Sequence, residues 1–264
     1  MNQAALRPIP AGEVLSKTHM PFSLDGGICH RARIGAIVLA TDHTIEHEFR
    51  RIFRIDGVGL YQSRIYNATQ INAETLAAME QGMAAAAGVI LPGSGFDVIA
   101  YCCTSGTVVI GEDKVFQRIR EARPGVACTT PITAGIAGLK RLGASRIALL
   151  TPYVDEVNQR FRAFIEARGL SVPVMGSFNH DDDDEVARIS QDSIKAAVRD
   201  LAREPNVDGV FVSCTSLRVV DIVEELEQEV GKPVTSSNHA LAWHCLRLAG
   251  VDDLLPGLGR LFRL

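Results

Sequence analysis

The sequence predicts an α/β protein made of two similar Rossmann-like lobes. Each lobe is a parallel sheet covered by helices, and the two are related by a pseudo-twofold with the active site in the cleft between them. Two observations lead there. Short apolar runs alternate with amphipathic stretches along the chain, and the first half of the chain aligns with the second. Strands without clean in–out alternation, separated by helices, indicate a sheet buried on both faces.

The N-terminal extension, residues 1–33, has no continuous apolar core, because Arg7, Glu13, Lys17 and three prolines interrupt it. The first buried-strand pattern follows at Arg33–Ala40, and a second at Phe96–Cys103. Arg146–Thr151 and Val207–Cys214 have the same character. Helical periodicity covers Thr75–Ala87, Gly111–Glu121, Ala134–Leu142, Val154–Ala167, Glu185–Arg203 and Val219–Val230.

Three segments repeat in the same order at nearly the same spacing. Arg33-Ile-Gly-Ala-Ile-Val-Leu answers Arg146-Ile-Ala-Leu-Leu. Phe96-Asp-Val-Ile-Ala-Tyr-Cys-Cys-Thr-Ser-Gly answers Val207-Asp-Gly-Val-Phe-Val-Ser-Cys-Thr-Ser-Leu. The run from Pro124 to Leu139 answers the run from Gly231 to Leu246. A duplication therefore places one lobe at 34–142 and the other at 143–248, with the tail 249–264 expected to cross back onto the first. A length of 264 residues suits two domains of about 100–150 residues each.

Composition narrows the function. The 27 Lys+Arg against 31 Asp+Glu give a net charge of −4, which excludes a broad nucleic-acid footprint. No apolar stretch reaches the roughly 18 residues of a membrane span. Six cysteines without a CxxC spacing suggest a reduced, cytoplasmic protein rather than a disulfide scaffold. Gly93-Ser-Gly95 lacks the third glycine of a dinucleotide fingerprint, so no cofactor is expected. The pair His43 and His47 lacks a third ligand, and Asp181–Asp184 reads as a solvated loop capping the helix from Glu185, so no metal is expected either.

The chemistry sits in the two Cys-Thr-Ser units. Each ends a strand and leads toward a helix, so both fall at carboxyl edges of the sheets, where open α/β folds bind ligands. Helix N-termini there favour an anion and lower a thiol pKa. Cys103 and Cys214 occupy equivalent repeat positions, and lobes facing across a twofold bring them to opposite sides of one cleft. That suits taking a proton from one face of a carbon and returning one to the other. Cys29, Cys128 and Cys245 read as buried apolar side chains, as does Cys102, which points away from Cys103. His239 reads as a core or surface residue.

The paired Cys-Thr motifs on duplicated lobes resemble the aspartate/glutamate racemase superfamily from about Arg33 onward. Within it, Thr41–Glu48, Leu150–Asn158 and Pro233–Trp243 are similar to the branch of maleate cis-trans isomerases, arylmalonate decarboxylases and ectoine-utilization racemase-like proteins. The resemblance implies that Cys103 and Cys214 are the catalytic thiols. Thr104, Ser105, Thr215 and Tyr153 would then grip a substrate carboxylate, with Asp42, Asn158 and Asn179 as further candidates. Arylmalonate decarboxylases carry glycine in place of the first cysteine, so two thiols favour an isomerase or racemase of a small carboxylate or amino acid derivative. Glutamate racemases follow the second cysteine with Thr-His, unlike Cys214-Thr215-Ser216. A small-molecule carboxylate partner and a homo-oligomer are expected. The alternatives are a malonate-type decarboxylase, a non-catalytic carboxylate-binding protein, and a redox sensor using Cys102-Cys103.

Overall fold

The computed structural model describes residue 12 and residues 14–264; the rest of the N-terminal extension lies outside the described residues. Residues 14–28 run without regular structure along the surface. The first lobe is built from β1 (Ala32–Leu39), α1 (Ile45–Ile52), β2 (Val58–Ile65), α2 (Ala73–Ala78), α3 (Met83–Val89), β3 (Val98–Cys102), α4 (Thr104–Ile110), α5 (Glu112–Ala122), β4 (Ala127–Thr129) and α6 (Pro131–Arg141). The second repeats the plan with β5 (Arg146–Thr151), α7 (Asp155–Glu166), β6 (Ser171–Ser177), α8 (Asp183–Arg188), α9 (Gln191–Ala202), β7 (Gly209–Val212), α10 (Val223–Val230), β8 (Val234–Ser236) and α11 (Ser237–Leu248).

Each lobe holds one four-stranded sheet, ordered β2-β1-β3-β4 in the first and β6-β5-β7-β8 in the second. Every pairing is parallel. The duplication extends to single hydrogen bonds. Asp97 accepts from the Arg33 amide at 2.7 Å, and Asp208 accepts from the Arg146 amide at 2.8 Å, so the aspartate of each repeat fixes the start of the neighbouring strand.

Two of the expected helices are broken. Thr75–Ala87 divides into α2 and α3 around a tight turn at Met79–Gly82. Glu185–Arg203 divides into α8 and α9 because Ile189 turns extended and the Ser190 hydroxyl caps the next helix through the Ser193 amide at 3.2 Å. Local capping outweighs the continuous periodicity there.

The last helix of each lobe packs on the other lobe's sheet. Helix α6 lies against β7 and β8, while α11 lies against β3 and β4, and the two helices pack together. Gly135 permits this: a Cβ there would sit 2.5 Å from the Phe211 ring of β7. On the other face, Ala240, Trp243, Cys245 and Leu246 share a core with Ile34, Val38, Val98 and Cys102. Leu258, Leu261 and Phe262 of the tail join the same core, and Arg31 pairs with Asp253. The lobes are joined by Leu142–Ser145, where Gly143 takes the left-handed φ of 77° that ends α6.

Candidate active site

Cys103 follows β3 and is the N-cap of α4. Its Sγ accepts from the Gly106 amide at 3.2 Å and lies 3.7 Å from the Ser105 hydroxyl. Gly106 cannot carry a side chain here, since a Cβ would meet the Tyr101 hydroxyl at 2.6 Å and Cys103 Sγ at 2.9 Å. Cys214 follows β7, but α10 begins only at Val223, because the chain after Cys214 runs through a series of turns. One backbone donor, the Ser216 amide at 3.4 Å, reaches its sulfur. The expectation of a helix N-terminus behind both thiols therefore fits Cys103 alone.

The expected lowering of the thiol pKa also reverses. Both cysteines are buried, and desolvation pushes Cys103 up to about 11 and Cys214 up to about 12. The Gly106 amide and Ser105 pull Cys103 down, as Tyr153 and the Ser216 amide do for Cys214, without offsetting burial. The carboxyl of Asp183 raises both thiols.

Tyr153 connects the two. It is 2% exposed, its hydroxyl lies close enough to Cys214 and Ser105 for each to act on its acidity, and burial and then both thiols raise its pKa well above the ordinary range. Asn158 reaches the site only through backbone: its Nδ2 donates to the Tyr153 carbonyl at 2.7 Å, and it accepts from the Thr151 hydroxyl, fixing the Tyr153 turn. Asn179 is not brought in; it occupies an exposed turn with φ of 57°. Thr104 spends its hydroxyl on Ser237 at 2.9 Å. Thr215 is buried beside Asp42, whose pKa its hydroxyl lowers while burial raises it further.

Two acidic residues belong to this region that the sequence reading did not place there: Asp183, read as part of a solvated loop but buried, and Glu48, not singled out. Asp183 is the buried member of the acidic run, accepting from the Thr41 hydroxyl at 2.7 Å and from Asn67 Nδ2 at 3.3 Å. Its neighbours follow the solvated-loop reading: Asp181 and Asp184 are exposed, and Asp182 caps α8 through the Asp184 and Glu185 amides. Burial lifts Asp183 to about 6. Glu48, on α1, crosses to the second lobe and accepts from the Val219 and Val220 amides at 2.6 and 2.8 Å and from Asn238 Nδ2 at 2.7 Å. The same Nδ2 donates to the Thr215 carbonyl at 2.7 Å, so Glu48 holds the loop that carries the second thiol. The signal for both was periodicity: Glu48 falls on the apolar face Ile45-Phe49-Ile52, and Asp183 precedes the buried Val186 by one turn.

The lobes also meet above the thiols. The Ile71 amide donates to the Asp181 carbonyl at 2.8 Å, and Gln70 bridges Asp182. Beneath this strap lies a cavity of about 10 Å³ lined by Asn67, Thr75, Met79, Ser105 and Asp183, room for roughly one water. The site is closed. His43 and His47 are exposed, and among the described residues no cluster of three metal-ligating side chains occurs. His239 is a core side chain, bonded to Thr235 at 2.9 Å and to the Leu258 carbonyl at 2.7 Å. No helix among the described residues is long and apolar enough to cross a membrane.

The chain is similar to known proteins. The chain is 38% identical over 146 residues to an arylmalonate decarboxylase of Bordetella bronchiseptica, a match spanning 54% of this chain and 60% of that one. It is 29% identical over 241 residues to a maleate isomerase of Nocardia farcinica, covering 88% and 95% of the two chains. A crystal structure of the Nocardia farcinica maleate cis-trans isomerase, a cysteine-to-serine mutant with a covalently bound succinylcysteine intermediate, superposes with a TM-score of 0.80 at 27% identity, over 88% of this chain and 98% of that one. The sequence pattern of the arylmalonate decarboxylase family matches residues 59–262, and the chain belongs to that family.

Proposed function

We propose that the protein is a cofactor-independent isomerase or racemase of a small carboxylate, with Cys103 and Cys214 moving a proton between opposite faces of the substrate's α-carbon. The observation that carries this is the convergence of both thiols on Tyr153 from equivalent ends of the two sheets. One thiol, ionised, takes the α-proton; the C–H electron pair passes into the carboxylate as an enediolate. The opposite S–H then protonates the other face. Tyr153 and Ser105 offer hydroxyls to the developing oxyanion, and the strap over the site excludes water.

In the maleate-isomerase version, the Cys103 thiolate adds to one alkene carbon and the Cys214 proton goes to the other. Rotation about the new single bond and reversal of both steps complete the cycle. The succinylcysteine in the Nocardia farcinica structure supports that version. Decarboxylation of a malonate is supported by the family and disfavoured by a cysteine at 103. The same reading expects a homo-oligomer in a reducing cytoplasm, in keeping with six free thiols.

Proton NMR in deuterium oxide tests this on wild type, Cys103→Ala and Cys214→Ala with a panel of carboxylates. Deuterium entry at the α-carbon with inversion, lost in both variants, is the expected result. Loss of carbon dioxide from a malonate that survives Cys103→Ala supports the decarboxylase. No reaction anywhere overturns the catalytic reading.

A further inference from the structure

The site holds two carboxyl groups and little to balance them. Asp42 is 4% exposed; its Oδ1 accepts from the Thr44 and Ile45 amides at 2.7 and 2.8 Å, while its Oδ2 is buried with no hydrogen-bond partner within 3.5 Å among the described residues. Asp183 accepts through Oδ2 from Thr41 and Asn67, and it lines the small cavity together with Ser105. Each carboxyl acts on Cys214, and Asp42 raises Asp183. Among the described residues, no lysine or arginine lines the cavity. Arg64, whose charge draws the Asp42 pKa down without offsetting burial, bonds the Leu39, Ala40 and Asp42 carbonyls and Glu46, not the Asp42 carboxyl.

We propose that Asp42 and Asp183 form a receptor for a substrate ammonium group, so that this site takes a carboxylate bearing a primary amine in preference to a dicarboxylate. The inference rests on the two-thiol reading above and names its substrate class. An ammonium brings three donors and a compact positive charge. Asp42 Oδ2 wants a donor, and neither it nor the Asp183 carboxyl, which already accepts from Thr41 and Asn67, has an ion-pair partner among the described residues. A second substrate carboxylate would meet two like charges in a desolvated space, which disfavours it.

The receptor also bears on the thiols. After burial, Asp183 is among the groups that favour the protonated form of both thiols. A bound ammonium cancels that field and eases loss of a thiol proton to solvent, so a reactive thiolate forms when the right substrate is present. The chemistry then balances as a proton exchange: the thiolate takes the α-hydrogen, the opposite thiol returns one, and the amine is unchanged.

Ligand-observed NMR tests this with wild type, Asp183→Asn and Asp42→Asn at mildly alkaline pH. The probes are α-amino and diamino acids, each paired with its des-amino analogue, and dicarboxylates. Wild type is expected to bind the amine of each pair at least about tenfold more tightly. Each neutral variant should lose that preference while unfolding at the wild-type temperature. Two variants on separate elements keep the test open if one fails to fold. Preference for des-amino acids or dicarboxylates in wild type, an unchanged preference in both variants, or no binding by any probe overturns the receptor. Dicarboxylates that exchange through both thiols while amines do not bind overturn the receptor and leave the two-thiol reading standing. Amines that bind through Asp183 without α-deuteration do the reverse.

Discussion

Glu48 of α1 and Val219 of the second lobe are joined at 2.6 Å, a carboxylate on a backbone amide with no solvent between them. With Val220 and Asn238, this contact fixes the turn that follows Cys214 from the opposite lobe. The Thr44 hydroxyl adds a bond to the Ser216 carbonyl at 2.8 Å. The position of the second thiol is therefore set by the first lobe.

That contact has a pH signature. Burial raises Glu48 from 4.5 to about 7, against the pull of Asn238 and the two amides. Between those values the folded protein holds a proton that the unfolded chain has released. The contribution is full below pH 4.5 and lost as pH rises through 7. Its span is on the order of 3 kcal/mol. Urea unfolding of wild type and Glu48→Gln is expected to show a stability difference that changes in this window; a flat difference from acid to neutral pH would sink the idea.

Tyr153→Phe removes a hydroxyl that lowers the Cys214 pKa. The limb of the pH–rate profile set by that thiol should move to higher pH. With a donor to the oxyanion gone, kcat should fall about tenfold to a hundredfold. A lower rate with an unmoved limb would assign Tyr153 to packing alone.

Gly106→Ala places a methyl within 2.9 Å of Cys103 Sγ and closer still to Tyr101. Overpacking of this kind costs about 1–3 kcal/mol, and displacement of the sulfur should lower kcat about a hundredfold. Denaturant melts and turnover, measured together, check both halves.

Cys102→Ala should do neither. Cys102 lies in the core shared by β1, β3 and α11, beside Cys245 and on the face away from Cys103. Burial pushes its pKa well above the ordinary thiol range. Activity should stay within about twofold, with a stability loss of about 1 kcal/mol. Loss of activity on this substitution would revive a role for the adjacent pair of thiols.

The central strands were legible because Ile34–Leu39 and Ile147–Thr151 are uniformly apolar and repeat each other. The edge strands β2 and β6 were not, since Gln62, Arg64, Ser171 and Ser177 give them the composition of loops. Cys103 and Cys214 stood out as candidates because repetition marks them. Asp183 and Glu48 were hidden among like-charged neighbours, and only their helical spacing from buried apolar residues set them apart from the exposed Asp184 and the ion-paired Glu46. The thiol acidity was misjudged because the donors can be read from a motif whereas the loss of water around the sulfur cannot.

The crossing of α6 and α11 has an implication for how such a chain could arise. A single ancestral lobe with this connectivity would leave part of one sheet face uncovered unless a second copy supplied the missing helix. It would therefore exist as a twofold dimer exchanging helices, with one cysteine from each subunit. Joining the two copies needs only the short turn now formed by Leu142–Ser145. Fusion then frees the two halves to diverge, and their cysteines already have: one caps a helix at a glycine, while the other is held in a turn by a carboxylate from across the junction.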